Sequence, residues 1–333
     1  MNNKKILILG ATGAMAVYLI PELLKKGYCV DGVSLDDVKS TEKNLTYIQA
    51  DAMDTDFLAN QLKTGYDAIV DFMIYRTVEL FEKYYKLYSQ NTSHYVFLSS
   101  YRVYADDSPL NENSKRLFDT DLPSDFERKF EYSIYKAEAE DFLHSSDFDN
   151  YTIIRPAITY SKRRFQLTTL EADTLVYRML NGKTVILPEG AMDKQATMTW
   201  AGDVAKMISA IVLNPACFRE VYNVSTSEHM TWREVAAIYE KIGNLKYITV
   251  DDETYLDLIS GKSIGATQQL KYDRCFNRIV DNTKILSLCN MKQSDLMPLC
   301  EGLKKELENL SPESIKPNEY INKRMDEYLD KQK

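Results

Sequence analysis

A short apolar run, Lys5-Ile6-Leu7-Ile8-Leu9, ends on Gly10-Ala11-Thr12-Gly13 and passes directly into a helical pattern over residues 14–26 that stops at Gly27. No other feature narrows the fold as much. A strand that turns through glycines into a helix continues by crossing over to a parallel neighbour. The signature then repeats, with strand-like runs at 29–35, 45–49, 68–73, 95–99 and 151–154. Between the runs at 68–73 and 95–99 lies Val78–Ser89, with Phe81, Tyr84, Tyr85 and Tyr88 on one helical face. Alternating strands and helices predict an α/β protein with a doubly wound parallel sheet. Pro21 falls inside the first helix, where a kink is expected.

After Pro156 the pattern changes. Helices are expected over 165–180, 201–213 and 231–242, the last opened by a capping box from Thr231 to Glu234. Strands are expected at 185–187 and 221–224, and a charged, solvent-facing helix from Pro312 onward. With 333 residues, two units are expected. Residues 1–160 form the nucleotide-binding part, with 201–225 returning to it. Residues 161–200 and 226–320 form a smaller substrate-binding α/β part, and 321–333 a charged tail.

Charge and composition remove several classes of function. A net charge of −8 disfavours a nucleic-acid partner, which needs clustered cations. The five cysteines are odd in number with no C-x-x-C spacing, and the three histidines are scattered, so neither a disulfide framework nor a metal site is expected. No apolar run approaches the roughly 18–20 residues of a membrane span. Met1-Asn2-Asn3-Lys4-Lys5 leads straight into the first strand, which argues against a signal peptide and for a cytoplasmic location.

The glycine loop is the first candidate site. Gly10 and Gly13 let the backbone turn tightly and approach a pyrophosphate, which the following helix N-terminus attracts; Ala16 stands where a third glycine would pack helix on strand. At the end of the second strand an acid would bind the ribose 2′-hydroxyl of NAD. The aligned residue is Ser34, with Asp36 one or two places on and Lys39 the only nearby cation, so NAD is favoured while NADP stays open. Asp51, after the third strand, is the candidate for the adenine amino group, and Asp54 caps the next helix.

Tyr132 and Lys136 are four residues apart in a helix expected over 126–143, and so share a face. An ammonium beside a phenol favours the phenolate, which can take a proton from a hydroxyl while hydride leaves the same carbon. With 23 tyrosines in the chain such a pair also arises by chance. Ser100, closing the fifth strand, is placed to bond the reacting oxygen; Ser99 reads as structural.

These residues together resemble the extended short-chain dehydrogenases/reductases, of the NAD-dependent epimerase/dehydratase superfamily. The resemblance rests on Gly10-Ala11-Thr12-Gly13, Asp51-Ala52, Ser99-Ser100-x-x-Val103-Tyr104, Tyr132-x-x-x-Lys136 with Glu140, and Arg155-Pro156-x-x-x-Tyr160. Gly202-Asp203-Val204-Ala205, Tyr222-Asn223-Val224 and Asp281-x-Thr283-Lys284 extend it over most of the chain. It implies a Rossmann-type fold, with Ser100, Tyr132 and Lys136 as the catalytic set. By the same resemblance Gly10, Thr12, Gly13, Ala14, Met15, Asp36, Asp51, Ala52, Phe72, Tyr132, Lys136 and Pro156 hold the cofactor. A nucleotide sugar is the implied substrate, held by Ser100 with Arg274 and Arg278 on its diphosphate; Arg163 and Arg164 are the reserve candidates. Relatives dimerise through a four-helix bundle, a contact the aromatic stripe at 81–88 would serve if it is not core.

Departures from the family pattern are informative. Tyr101-Arg102 stand where 4,6-dehydratases carry Asp-Glu, so that elimination is disfavoured, and the glutamate of sugar-acid decarboxylases is missing too. Phe72-Met73 replace small residues, and the acidic stretch 106–127 reads as a lid or a surface loop. The function expected is NAD-dependent epimerisation of a nucleotide sugar. The alternatives are an NAD(P)H-dependent reductase or dehydrogenase, and a non-catalytic cofactor- or RNA-binding relative.

Overall fold

The computed structural model describes residues 4–106, 108–124, 126–128 and 131–332. At its centre is a seven-stranded parallel sheet. Six strands come from the first half of the chain: β1 (Lys5–Leu9), β2 (Cys29–Ser34), β3 (Leu45–Gln49), β4 (Tyr66–Asp71), β5 (Thr92–Leu98) and β6 (Tyr151–Arg155). Between them run α1 (Ala16–Lys25), α2 (Thr55–Leu62), α3 (Val78–Ser89) and α4 (Tyr132–His144). The chain then leaves the sheet for β7 (Ile158–Tyr160), α5 (Leu175–Leu180), β8 (Thr184–Pro188), β9 (Gln195–Ala196) and β10 (Met198–Trp200). It comes back through α6 (Ala201–Ile211) to β11 (Val221–Asn223), which pairs with β6, giving the order β11-β6-β5-β4-β1-β2-β3.

Alternation within the strands explains the layers. Ile6 and Ile8 join one core with Leu19 and Leu23 of α1 and Val204 and Ile208 of α6. Leu7 and Leu9 join the opposite core with Phe81 and Tyr85 of α3 and Ala139 and Leu143 of α4. Both faces of the sheet are therefore covered, as a parallel sheet requires. The order of strands reverses between β1 and β4, so a crevice opens beyond their carboxyl ends, where such sheets bind ligands. Phe81, Tyr84, Tyr85 and Tyr88 are all buried in this second core, so the stripe packs the sheet and is not a free face for a second copy.

A separate core, centred on Trp232, Tyr239, Phe165 and Leu303, holds the remaining elements together. These are β12 (Met230–Thr231), α7 (Trp232–Gly243), β13 (Lys246–Val250), α8 (Asp252–Ser260), α9 (Ile264–Gln269), α11 (Leu299–Glu308) and α12 (Glu319–Asp330), whereas α10 (Thr283–Cys289) packs Ile285 and Leu286 into the core shared by α1 and α6. The capping box at Thr231 and Glu234 is present at the start of α7.

Several expectations need correction. Of 165–180 only Leu175–Leu180 is α-helix; Leu167 and Leu170 bond each other across a turn in which Thr168 has φ +52°. Phe165, Leu167 and Leu170 are buried from that turn, which imitates a helical stripe in the sequence. Helix α4 starts at Tyr132 rather than 126, because the Glu131 carboxylate accepts the Ser133 amide and caps it there. Lys129 and Phe130, inside the expected helix, lie outside the described residues, as do Asp107 and Asp125 of the 106–127 stretch. That stretch is bound to the substrate side of the fold, Leu110 donating to Ile279 O at 2.7 Å and Asp106 accepting from the Asn277 amide at 2.8 Å. Helix α1 continues through Pro21, whose side lies exposed. The charged tail docks: Met325 is buried and Asp326 bridges the buried Arg178 at 2.8 Å. Among the described residues no helix is long and apolar enough to cross a membrane.

Candidate active site

The crevice is a cavity of about 690 Å³, within the range of small-molecule sites. One end is the glycine loop. Gly10 has φ +80°, a conformation that costs a side-chain-bearing residue roughly 1–2 kcal/mol. Its amide and that of Ala11 both donate to Val33 O, at 3.1 and 2.9 Å, which binds the loop to β2. A Cβ at Gly13 would stand 3.1 Å from Gly10 O, tighter than ordinary packing. Replacing Gly10 by alanine should therefore weaken cofactor retention about tenfold or more and lower the melting temperature. Equilibrium dialysis with NAD and a thermal melt check both.

Helix α1 opens at Ala16 with no side-chain cap and no acid in its first turn. Its N-terminal amides and positive dipole end thus face the cavity without a protein anion, which is the fit a dinucleotide pyrophosphate needs. Thr12, Gly13, Ala14 and Met15 line this end, with Phe72 beside the loop. Thr12 Oγ1 shares a 2.7 Å hydrogen bond with Ser34 Oγ, which also accepts the Asp36 amide at 3.0 Å. This turn carries Asp36 to the cavity wall. Asp51 and Ala52 line it as well; one Asp51 oxygen accepts the Met53 amide at 2.8 Å, while Asp54 caps α2. The residues present therefore fit NAD.

Ser100, Tyr132 and Pro156 line the other end. Ser100 caps the turn Tyr101–Val103, its Oγ accepting the Arg102 amide at 3.2 Å. Tyr132 is the first residue of α4, so its phenol lies by the helix end whose dipole favours an anion. Burial pushes the phenol up to about 12, against the pull of Arg102 and Arg164. Lys136 is not in the cavity wall. It is fully buried behind the tyrosine, its Nζ donating to Leu98 O at 2.5 Å and standing 5.5 Å from the Tyr132 ring centroid. Desolvation pushes the ammonium down to about 7, while Asp71 and Glu140 draw it back up.

Sequence reading missed Asp71, Arg102 and Gln269. Asp71 ends β4, buried, accepting from Tyr95 Oη at 2.6 Å and Tyr75 Oη at 2.8 Å; an acid at a strand's carboxyl end was the available signal. Arg102 and Gln269 line the cavity, as does Arg164. Arg274 reaches the wall, with Nε donating to Thr168 O at 2.7 Å. Arg278 does not: its guanidinium binds Tyr104 O, Ala105 O, Tyr272 O and Asp273, so its donors hold loops together. Arg163 reaches over the glycine loop, donating to Thr12 O at 2.9 Å. Among the described residues no group of three or more His, Cys, Asp or Glu is arranged to hold a metal ion.

Known proteins share this family pattern and this fold. The model of the NAD dependent epimerase/dehydratase family matches residues 6–225. A solved structure of the PbgP3 protein from Burkholderia pseudomallei is similar, with a TM-score of 0.71 at 14% identity, covering 95% of this chain and 99% of that one. UDP-glucuronic acid 4-epimerase from Bacillus cereus, solved with UDP-glucuronic acid and NAD, gives 0.68 at 17% identity over 91% and 98%. Among curated proteins, the chloroplast stem-loop binding protein of 41 kDa b from Arabidopsis thaliana is 23% identical over 260 residues. That match takes in 73% of this chain but only 64% of the plant protein's length.

Proposed function

Since the chain belongs to the NAD-dependent epimerase/dehydratase family, a family of enzymes, we propose that it epimerises a nucleotide sugar by transient oxidation of a ring hydroxyl. The observation that carries this reading is the convergence of Ser100 and Tyr132 at one end of a cavity whose other end is the uncapped glycine loop.

In this reading the glycine loop and the α1 amides hold the pyrophosphate, Asp36 the adenosine ribose and Asp51 the adenine. Lys136, buried behind the wall with its Nζ on Leu98 O, backs Tyr132. The cofactor supplies reversible hydride transfer at the carbinol carbon. Ser100 donates to the reacting oxygen and fixes it beside the phenol. Tyr132 is the acid–base group. Burial raises its phenol, and the positive charge of the oxidised cofactor would offset this on binding. The anion so favoured would take the hydroxyl proton when the carbonyl forms and give it back when the carbonyl is reduced on its other face. Elements built around the Trp232 and Tyr239 core, through Arg164, Gln269 and Arg274, form the substrate wall. Tyr101 and Arg102 offer no acid–base pair for loss of water, which supports epimerisation over 4,6-dehydration.

The test is conversion of UDP-, GDP- or dTDP-hexoses by NAD-loaded protein. An epimer formed without net change in NADH, keeping deuterium placed on the reacting carbon, is the expected result. Net oxidation or reduction would move the reading to a dehydrogenase or reductase, and no conversion of any of them would overturn it. The plant relative's name favours a second reading, binding of an RNA stem-loop. The retained Tyr132 and Lys136 and the net charge of −8 speak against it. Filter binding of a stem-loop RNA at low salt should show no retention.

A further inference from the structure

Resting on that reading, we infer that Arg102 selects a sugar bearing a carboxylate next to the reacting carbon, so that the substrate class is a nucleotide-linked uronic acid rather than a neutral hexose. Arg102 follows Ser100 by two residues and lines the cavity, with its Cζ 5.4 Å from the Tyr132 ring centroid. Glu131, the cap of α4, holds its Nη2 at 2.7 Å, and Asp273 stands 3.4 Å from its Nε. The guanidinium is therefore pinned beside the phenol that exchanges the proton. Its Nε is buried and, among the described residues, has no hydrogen-bond acceptor, Asp273 serving it as an ion pair alone.

Charge around this point does not balance. Among the described residues, Arg102, Arg274 and Arg278 share the carboxylates of Asp273 and Glu131, and Arg164 in the same wall has Glu171 at 3.7 Å. An excess guanidinium beside a desolvated ring is costly unless an anion joins it. The hydroxyls of a neutral hexose provide none. A carboxylate does, and a planar guanidinium meets it with paired, charge-assisted hydrogen bonds. A diphosphate held at Arg274 would not serve the same end, because the charge at Arg102 lies at the proton-transfer residue itself. Arg164 also acts on that phenol, which places both cations around one point.

The experiment compares UDP-glucuronate with UDP-glucose, and glucuronate 1-phosphate with glucose 1-phosphate, by calorimetry on NAD-loaded Tyr132→Phe protein, in which turnover is too slow to disturb the binding measurement. The carboxylate member of at least one pair should bind about ten- to a hundredfold tighter. Arg102→Gln in the same background should bring the two affinities together, and Arg102→Lys, which keeps the charge and loses the fork, should leave an intermediate preference. Measurable but equal binding within both pairs overturns the inference while leaving the nucleotide-sugar reading in place. Preference in the phosphate pair alone supports the inference and removes uridine from the reading. A preference that survives Arg102→Gln, or no binding of any of the four compounds, overturns the inference.

Discussion

Tyr132→Phe is expected to lower turnover about a thousandfold, the scale of a lost general acid–base group, while NAD stays bound and the melting temperature hardly moves. The phenol sits on the first turn of α4, near the Arg102 guanidinium and in front of the buried Lys136. Removing one hydroxyl leaves the ring, the helix cap at Glu131 and the glycine loop untouched. The loss should therefore fall on kcat, with substrate affinity changing severalfold at most. Rate measurements on the variant, alongside its bound-nucleotide content by mass spectrometry, give the answer directly. A variant working within about threefold of the parent would place the proton transfer elsewhere. Ser100→Ala should show a smaller loss, because Ser100 orients the oxygen and does not take its proton.

Glu140→Ala is the second large effect, and it falls on stability. Glu140 is completely buried, with Arg155 Nε and Nη2 on its two oxygens at 2.8 and 2.6 Å and Ser99 Oγ on the first at 2.5 Å. Arg116 approaches it at 3.5 Å. Alanine would leave Arg155 buried without its counter-ion, at a cost of about 3–5 kcal/mol, or a fall in melting temperature of roughly 10 °C. The deficit should depend on pH in a definite sense. Burial opposes the charge on Glu140, but Arg155, Ser99 and Arg116 outweigh it and hold the carboxyl below its ordinary value. Its folded pKa is lower than its unfolded one, so its contribution is complete above about pH 4.3 and is lost as pH falls further. Parent and variant melts should therefore differ most near neutrality and converge in acid; a gap that stays constant down to pH 3 would count against the ion pair as its cause. Because the same pair fixes Ser99 beside Ser100 and the middle of α4 behind Tyr132, turnover should fall as well.

How much of this was legible beforehand divides along physical lines. The sheet was readable because buried parallel strands are short apolar runs and the intervening helices carry an apolar stripe. Strand limits shifted by at most three residues, most at β5, which starts at Thr92 rather than 95. The helix expected over 165–180 failed because Phe165, Leu167 and Leu170 are buried by a tertiary context that a local pattern cannot distinguish from helical spacing. In the site, the glycine loop and the Tyr132–Lys136 spacing were visible as local sequence. Lys136 standing behind the wall, and Arg278 serving loops rather than substrate, were not. Both depend on which backbone carbonyls the folded chain brings within reach, Leu98 O for one and Tyr104 O for the other. Arg102 was seen only as the loss of an acid, since what a cation does there depends on Glu131 and Asp273 arriving from elsewhere.

The return of the chain to β11 has a consequence for how the molecule can be divided. The polypeptide leaves the sheet at Pro156, builds β7 to β10, comes back through α6 and β11, and leaves again before β12. A fragment ending near residue 160 would lack both α6, which covers one face of the sheet, and the strand that closes the β6 edge. It would expose an apolar layer and an unpaired edge, the combination that drives aggregation. Neither part can thus be grafted, excised or exchanged by a single cut. Any interchange of substrate walls between relatives has to splice at each of these passages, and the threads joining the parts also restrain how far the crevice can gape.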